Sequence, residues 1–179
     1  VKHEKGLPIY APERELAMLQ ARREEAMKAG ISPQLIEDVL RRFMRESYSN
    51  ENQFGFKTLN PAINKIVIVG GYGKMGQLLA RYLRASGYPI SILDLDDWDV
   101  AERILTNADV VIVSVPIDHT LETIERLKPY LTENMLLADL TSVKRAPLAK
   151  MLDVHKGAVV GLHPMFGPDI ASMAKQVVV

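Results

Sequence analysis

The sequence has no cysteine. That removes disulfides, thiolate nucleophiles, cysteine zinc sites and iron–sulfur clusters, and it fits a reducing compartment. Neither sign of charge is in excess, with 22 Lys+Arg against 22 Asp+Glu in 179 residues. No long-range positive field is available to gather nucleic acid or an anionic membrane surface, so neither is expected as a partner. No apolar run approaches the roughly 18 residues that span a bilayer, and the N-terminus lacks the charged-then-apolar order of a secretory signal, so a cytoplasmic protein is expected. The 4 histidines are scattered without metal-ligand spacing, and no metal is expected. Chemistry is left to His, Ser, Lys, Arg and carboxylates. A composition of 47% hydrophobic and 25% charged residues is that of an ordinary globular chain of one or two domains.

Two halves follow different grammars. Pro12 suits a first helical position, Leu16, Leu19 and Met27 recur at near-helical spacing, and Gly30 is placed to stop the helix. Ser32 and Pro33 then open a second helix whose apolar stripe runs Ile36, Leu40, Phe43 and continues into Ser47 and Glu51. Beyond Pro61 the period changes. Ile66 to Val69, Ile90 to Leu93, Val110 to Val115, Met135 to Ala138 and Val159 to Leu162 are short apolar runs. Helix-like stretches separate them at Met75 to Ser86, Trp98 to Leu105, Leu121 to Leu127 and Pro147 to Leu152. This alternation predicts an α/β fold with a parallel sheet covered on both faces. Val177, Val178 and Val179 read as a strand cut short, and with Val1 at the start they suggest a window on a longer protein.

Gly71-Tyr72-Gly73-Lys74-Met75-Gly76 follows the first strand directly and opens a helix. In such a Rossmann-type fingerprint the first glycine permits the tight turn, the second lets backbone approach a pyrophosphate, and the third allows close helix packing. The helix N-terminus offers unpaired N–H groups to phosphate. Asp94 ends the next strand, about 20 residues beyond the glycines, where an acid binds the adenosine ribose hydroxyls. Its charge repels a 2′-phosphate, so NAD is preferred to NADP. Tyr72 and Lys74 stand where they could edge the phosphates, or serve only as solvated loop residues.

Ligands of such sheets bind outside the carboxyl ends of the strands. Three polar stretches fall there: Ser114-Val115-Pro116, Asp139 to Lys144, and Gly161 to Pro168. His163, on a loop rich in proline and glycine directly after an apolar run, is the histidine best placed for proton chemistry beside a nicotinamide. His119 at a helix start, His155 in a polar loop and His3 are weaker candidates.

Taken in order, Gly70-Gly71-Tyr72-Gly73-Lys74-Met75-Gly76, Val113-Ser114-Val115-Pro116, Thr141-Ser142-Val143-Lys144 and Gly161-Leu162-His163-Pro164-Met165-Phe166-Gly167-Pro168 resemble prephenate dehydrogenase. Gly6 to Glu15 and Arg45 to Asn52 resemble an AroQ-type helical chorismate mutase. The resemblance covers essentially the whole chain and is to the bifunctional enzymes of tyrosine biosynthesis that fuse the two. It implies a partial helical mutase domain over residues 1–56, a linker over 57–64 and an NAD-binding dehydrogenase domain over 65–179. A first mutase helix would precede Val1, and a helical dimerisation domain would follow Val179.

By the same resemblance, chorismate is rearranged to prephenate, and prephenate is oxidatively decarboxylated with NAD to 4-hydroxyphenylpyruvate. Neutral His163 would take the proton of the ring hydroxyl, and Ser142 would orient it. Lys2 would contact the breaking ether, Arg14 the substrate's polar groups and Glu15 the ring hydroxyl. Ser47 and Glu51 would face the mutase site, and Glu51 would have to be protonated to donate a hydrogen bond. A homodimer and feedback by tyrosine are implied too. Ala11 departs from mutases that place a polar residue there. Two other functions remain open on the residues: a different Rossmann dehydrogenase of the β-hydroxyacid type, or a non-catalytic NAD-binding or dimerisation module.

Overall fold

The computed structural model describes residues 12–51, 60–170 and 176–179, without the side chains of residues 12–14 and 45–51. The chain divides into two compact units, one helical within residues 1–54 and one α/β within residues 55–170 and 176–179.

The helical unit is a hairpin of α1 (Pro12–Lys28) and α2 (Pro33–Glu51). Pro12 and Pro33 sit at first helical positions, where the missing N–H is no loss. Gly30 ends α1 at φ 70°, a left-handed turn that glycine adopts without penalty. The covered face of α1 is Glu15, Leu19 and Ala26, whereas Leu16 and Met27, expected on the buried stripe, are 63% and 61% exposed. Steps of four and seven residues put 15, 19 and 26 on one side, and Leu16 and Met27 fall off it. On α2, Ile36 and Leu40 are half-buried but Phe43 is exposed. Glu37 joins the helices: it accepts from Arg23 across the hairpin and from Arg41 Nε and Nη2 at 2.9 and 2.7 Å. These guanidinium hydrogen bonds, Arg41 first, hold its carboxyl below the usual range.

In the second unit five parallel strands stand in the order β2-β1-β3-β4-β5. They are β1 (Ile66–Val69), β2 (Ile90–Leu93), β3 (Val110–Val113), β4 (Leu136–Asp139) and β5 (Val159–Gly161). Helices α3 (Lys74–Ala85), α4 (Ala101–Leu105), α5 (Ile117–Leu127) and α6 (Arg145–Val154) alternate with them. All four residues of β1 are buried, as a strand covered on both faces requires. Val67, Val69, Val111, Val113 and Leu137 meet Ile124, Leu127 and Met151 in the core.

Several expectations shift at their edges. The third strand stops at Val113 rather than Val115, although Ser114 N–H still bonds Val69 O at 2.8 Å. Pro116 cannot donate to a ladder and instead leads into α5. The helix expected from Trp98 is a 3₁₀ segment over Leu95–Val100 running into α4. Asp94 and Asp97 cap its start reciprocally, and such capping tightens the first turn. Finally, Val177 to Val179 do not extend the parallel sheet. They lie antiparallel to the loop after β5, with His163 N–H to Val179 O at 2.7 Å and Met165 N–H to Val177 O at 2.9 Å. Among the described residues no helix is long and apolar enough to cross a membrane.

Candidate active site

The chain leaves β1 through α3 to one neighbouring strand, and the other neighbour, β3, is reached only later. This reversal between β1 and β3 opens a crevice at the carboxyl edge. A cavity of about 300 Å³ lies there, lined by Gly70, Gly73, Asp94, Ser114, Val115 and Pro116 together with Leu95, Trp98, His119 and Thr123.

The glycine loop is shaped by close backbone approach. Gly70, not Gly71, takes the left-handed conformation, at φ 77°. A Cβ on Gly70 would stand 2.8 Å from Ser114 O. One on Gly76 would stand 2.6 Å from Gly70 O, so α3 can sit against the loop only without a side chain at that position. At Gly73, the N-cap of α3, the protein offers a Cβ only Gly70 O at 3.3 Å. The space before the helix N-terminus is thus open on the side where an anion is favoured.

Asp94 secures this loop. Its Oδ2 accepts the Tyr72 N–H at 2.9 Å, and its Oδ1 accepts the Leu95 N–H at 2.9 Å. The same carboxylate also accepts the Asp97 N–H in the reciprocal cap, so three backbone donors occupy it and one lone pair is left for a ligand hydroxyl. The donor set fits a dinucleotide: backbone amides for the pyrophosphate, an acid for the ribose and an apolar wall for the base. Trp98 supplies part of that wall and is itself covered by the Arg126 guanidinium, 4.1 Å from the ring centroid.

Of the expected cofactor residues, Gly73, Asp94, Ser114, Val115 and Pro116 line the cavity. Gly71 and Gly76 are buried beneath it. Tyr72 is 63% exposed and contributes its backbone N–H to Asp94. Lys74 lines a different surface cavity with Gln77, Arg81 and Arg84, and Met75 is half-buried outside both linings. Six lining residues, Val69 among them as the last residue of β1, were not singled out for the cofactor from the sequence. The doubled glycine signals Gly70, the single tryptophan of the chain signals Trp98, and the helical spacing after Pro116 signals His119 and Thr123. Leu95 carries no such mark.

Along the same edge, β4 and β5 pair with Asp139 opposite Gly161. Ser142 is exposed on the loop after β4, and His163 is half-buried on the loop after β5. Adjacent strands therefore deliver both residues to neighbouring loops. Among the mutase residues, Lys2 lies outside the described residues. Arg14 belongs to α1, and Ser47 and Glu51 belong to α2, with side chains outside the description. Glu15 is buried on α1, 8% exposed.

Residues 1–52 match the type II chorismate mutase family, and residues 90–177 match the nucleotide-binding domain of prephenate dehydrogenase. The second match begins after the glycine loop, so the loop's assignment rests on its geometry. The chain is 85% identical over 179 residues to a T-protein of Haemophilus influenzae and 57% identical over 179 residues to a T-protein of Enterobacter agglomerans. Each alignment covers 100% of this chain and 48% of the relative, so the chain spans about half the length of these relatives. Among solved structures, a prephenate dehydrogenase from A. aeolicus in complex with hydroxyphenyl propionate and NAD+ superposes with a TM-score of 0.50 at 25% identity. That match covers 61% of this chain and 43% of the other.

Proposed function

Because the chain belongs to the T-protein family, joining chorismate mutase and prephenate dehydrogenase sequences, we propose that the protein rearranges chorismate to prephenate and oxidises prephenate to 4-hydroxyphenylpyruvate with NAD. The observation that carries the dehydrogenase half is the convergence at one sheet edge of the glycine loop, Asp94 and the loops bearing Ser142 and His163. The domain assignment is part of the same proposal: residues 1–56 for the mutase, 57–64 as linker and 65–179 for dinucleotide binding.

Gly71, Gly73 and Gly76 admit the pyrophosphate to the N-terminus of α3, with Tyr72 and Lys74 at its rim and Met75 behind it. Asp94 holds the ribose hydroxyls and disfavours a 2′-phosphate, and Ser114, Val115 and Pro116 form the wall toward the nicotinamide. The chemistry the dinucleotide supplies when bound is acceptance of a hydride from the ring carbon bearing the hydroxyl. Neutral His163 accepts the hydroxyl proton as hydride departs, a contribution of about a hundredfold or more for a positioned base. Ser142 orders the hydroxyl against His163. Carbon dioxide leaves, its bonding electron pair makes the ring aromatic, and the phenolate oxygen takes back the proton held by His163.

In the mutase half no bond is formed to the protein. The site holds chorismate folded and stabilises charge at the breaking ether. Lys2 and a protonated Glu51 donate toward the ether oxygen, Arg14 and Ser47 position polar groups, and Glu15 receives the ring hydroxyl. Tyrosine as a feedback ligand, a homodimer and a cytoplasmic location belong to this reading.

The test is one cuvette of full-length protein with chorismate and NAD, following chorismate loss and NADH formation together. Chorismate loss followed by NADH supports both activities. NADH from supplied prephenate without chorismate loss rejects the mutase half, and absence of both signals rejects the proposal.

A further inference from the structure

Asp139 is fully enclosed, 0% exposed, and none of the roles above employs it. Lys144 Nζ donates to its two carboxylate oxygens at 2.8 and 2.7 Å and to Leu162 O at 2.7 Å. An ammonium has three N–H groups, so every donor of Lys144 is committed within the protein. The carboxylate also accepts the Thr141 N–H at 2.9 Å and stands beside the Thr141 hydroxyl.

The partners are distributed in a telling way. Ser142 lies between Thr141 and Lys144, and Leu162 immediately precedes His163. One buried carboxylate and one ammonium thus tie the start and end of the Ser142 turn to the carbonyl before His163. Gly161 lies against the lysine stem: a Cβ there would stand 3.0 Å from Lys144 Cδ and 3.4 Å from Asp139 Oδ1. A buried ion pair is a weak source of net stability, since desolvation offsets its attraction, and it is better suited to fixing a geometry. Reacting groups misplaced by about 1 Å can lose about a hundredfold in rate.

We propose that Asp139 is a positioning residue for prephenate oxidation: through Lys144 it holds the Ser142 turn and the His163 loop in one relative geometry, without touching substrate or dinucleotide. This rests on the roles of Ser142 and His163 given above.

The experiment compares Asp139→Asn, Lys144→Met, the double variant and Gly161→Ala in the full-length protein. Asp139→Asn should lower kcat for prephenate by about tenfold or more, while KM for prephenate and Kd for NAD stay within about twofold. The mutase rate, measured in the same samples, should be unchanged. The double variant should lose no more than the worse single variant, because the two groups act as one device. Gly161→Ala keeps both charges but crowds the lysine stem, and it should lower the same kcat by about threefold. It reads the same parameter if Asp139→Asn does not fold.

A loss confined to KM, a multiplicative double variant, or native kcat in Asp139→Asn or Gly161→Ala overturns the positioning role. His163→Asn and Ser142→Ala separate the two levels. Native kcat in both would overturn the catalytic reading and the positioning role with it, whereas loss in both alongside native kcat in Asp139→Asn would overturn positioning alone.

Discussion

Two glycines three residues apart should fail in opposite ways when each is given a methyl group. At Gly70 an alanine would have to hold φ 77° with its Cβ 2.8 Å from Ser114 O and 2.8 Å from Val115 Cγ1. The left-handed backbone costs about 1–2 kcal/mol for an L-residue, and overpacking against fixed backbone adds about 1–3 kcal/mol. A loss near 3 kcal/mol lowers the thermal midpoint of a unit this size by roughly 10 °C. At Gly73 the backbone is φ −64°, ψ 157°, open to any residue, and the sole close atom is Gly70 O at 3.3 Å. Stability should change by less than about 1 kcal/mol, the weaker N-cap being offset by a less flexible unfolded chain. The new methyl would occupy the approach of a pyrophosphate to the helix N-terminus. Losing one hydrogen bond to a charged group there costs about 1.5–3 kcal/mol, at least about tenfold in Kd for NAD. Circular dichroism melts and calorimetric NAD titrations of the full-length protein read the two quantities. If Gly73→Ala bound NAD as tightly as the native protein, the pyrophosphate would not approach this backbone. If Gly70→Ala kept the native midpoint, the account of the loop's conformation would be wrong.

Asp94→Asn should weaken NAD binding and narrow the preference over NADP by about tenfold, measured as the ratio of their kcat/KM values; an unchanged ratio would remove Asp94 from cofactor selection. His163→Asn should lose about a hundredfold or more in kcat for prephenate. Native kcat in that variant would count against His163 as the base. Mutase activity should favour lower pH than in Glu51→Gln, whose amide donates at every pH; identical profiles would reject the need for a protonated Glu51. Glu37, its carboxyl lowered by Arg41 and Arg23, stabilises the hairpin above the ordinary carboxyl value of 4.5, and that contribution is lost as pH falls through the lower folded value. The native melting midpoint should therefore exceed that of Glu37→Gln at pH 7, and the gap should narrow as the medium acidifies below the ordinary carboxyl range; a gap that stays constant on acidification would exclude the ion pair as its cause.

The elements legible in the sequence were those whose cause is local. Runs such as Ile66 to Val69 announce buried strands by their unbroken apolarity, and the glycine spacing before Gly76 announces a strand-to-helix turn, because both depend on neighbours a few residues away. Asp94 at the end of the second strand and His163 after the fifth were visible for the same reason: position along the chain locates a strand's end. Which strands lie side by side was not visible in this way. The placement of β1 between β2 and β3 creates the crevice, and only then do Ser114 and Trp98, distant in sequence, line one cavity with Gly70. Gly70, left-handed, stands where Ser114 O, just beyond the neighbouring strand, leaves no room for a Cβ. The exposed Leu16 and Met27 likewise reflect which side of α1 meets α2, a choice that apolar spacing leaves open. Lys144, donating both to Asp139 and to Leu162 O, joins two loops. Periodicity constrains contacts made within an element, whereas contacts between elements exist only once the sheet order has brought their ends together.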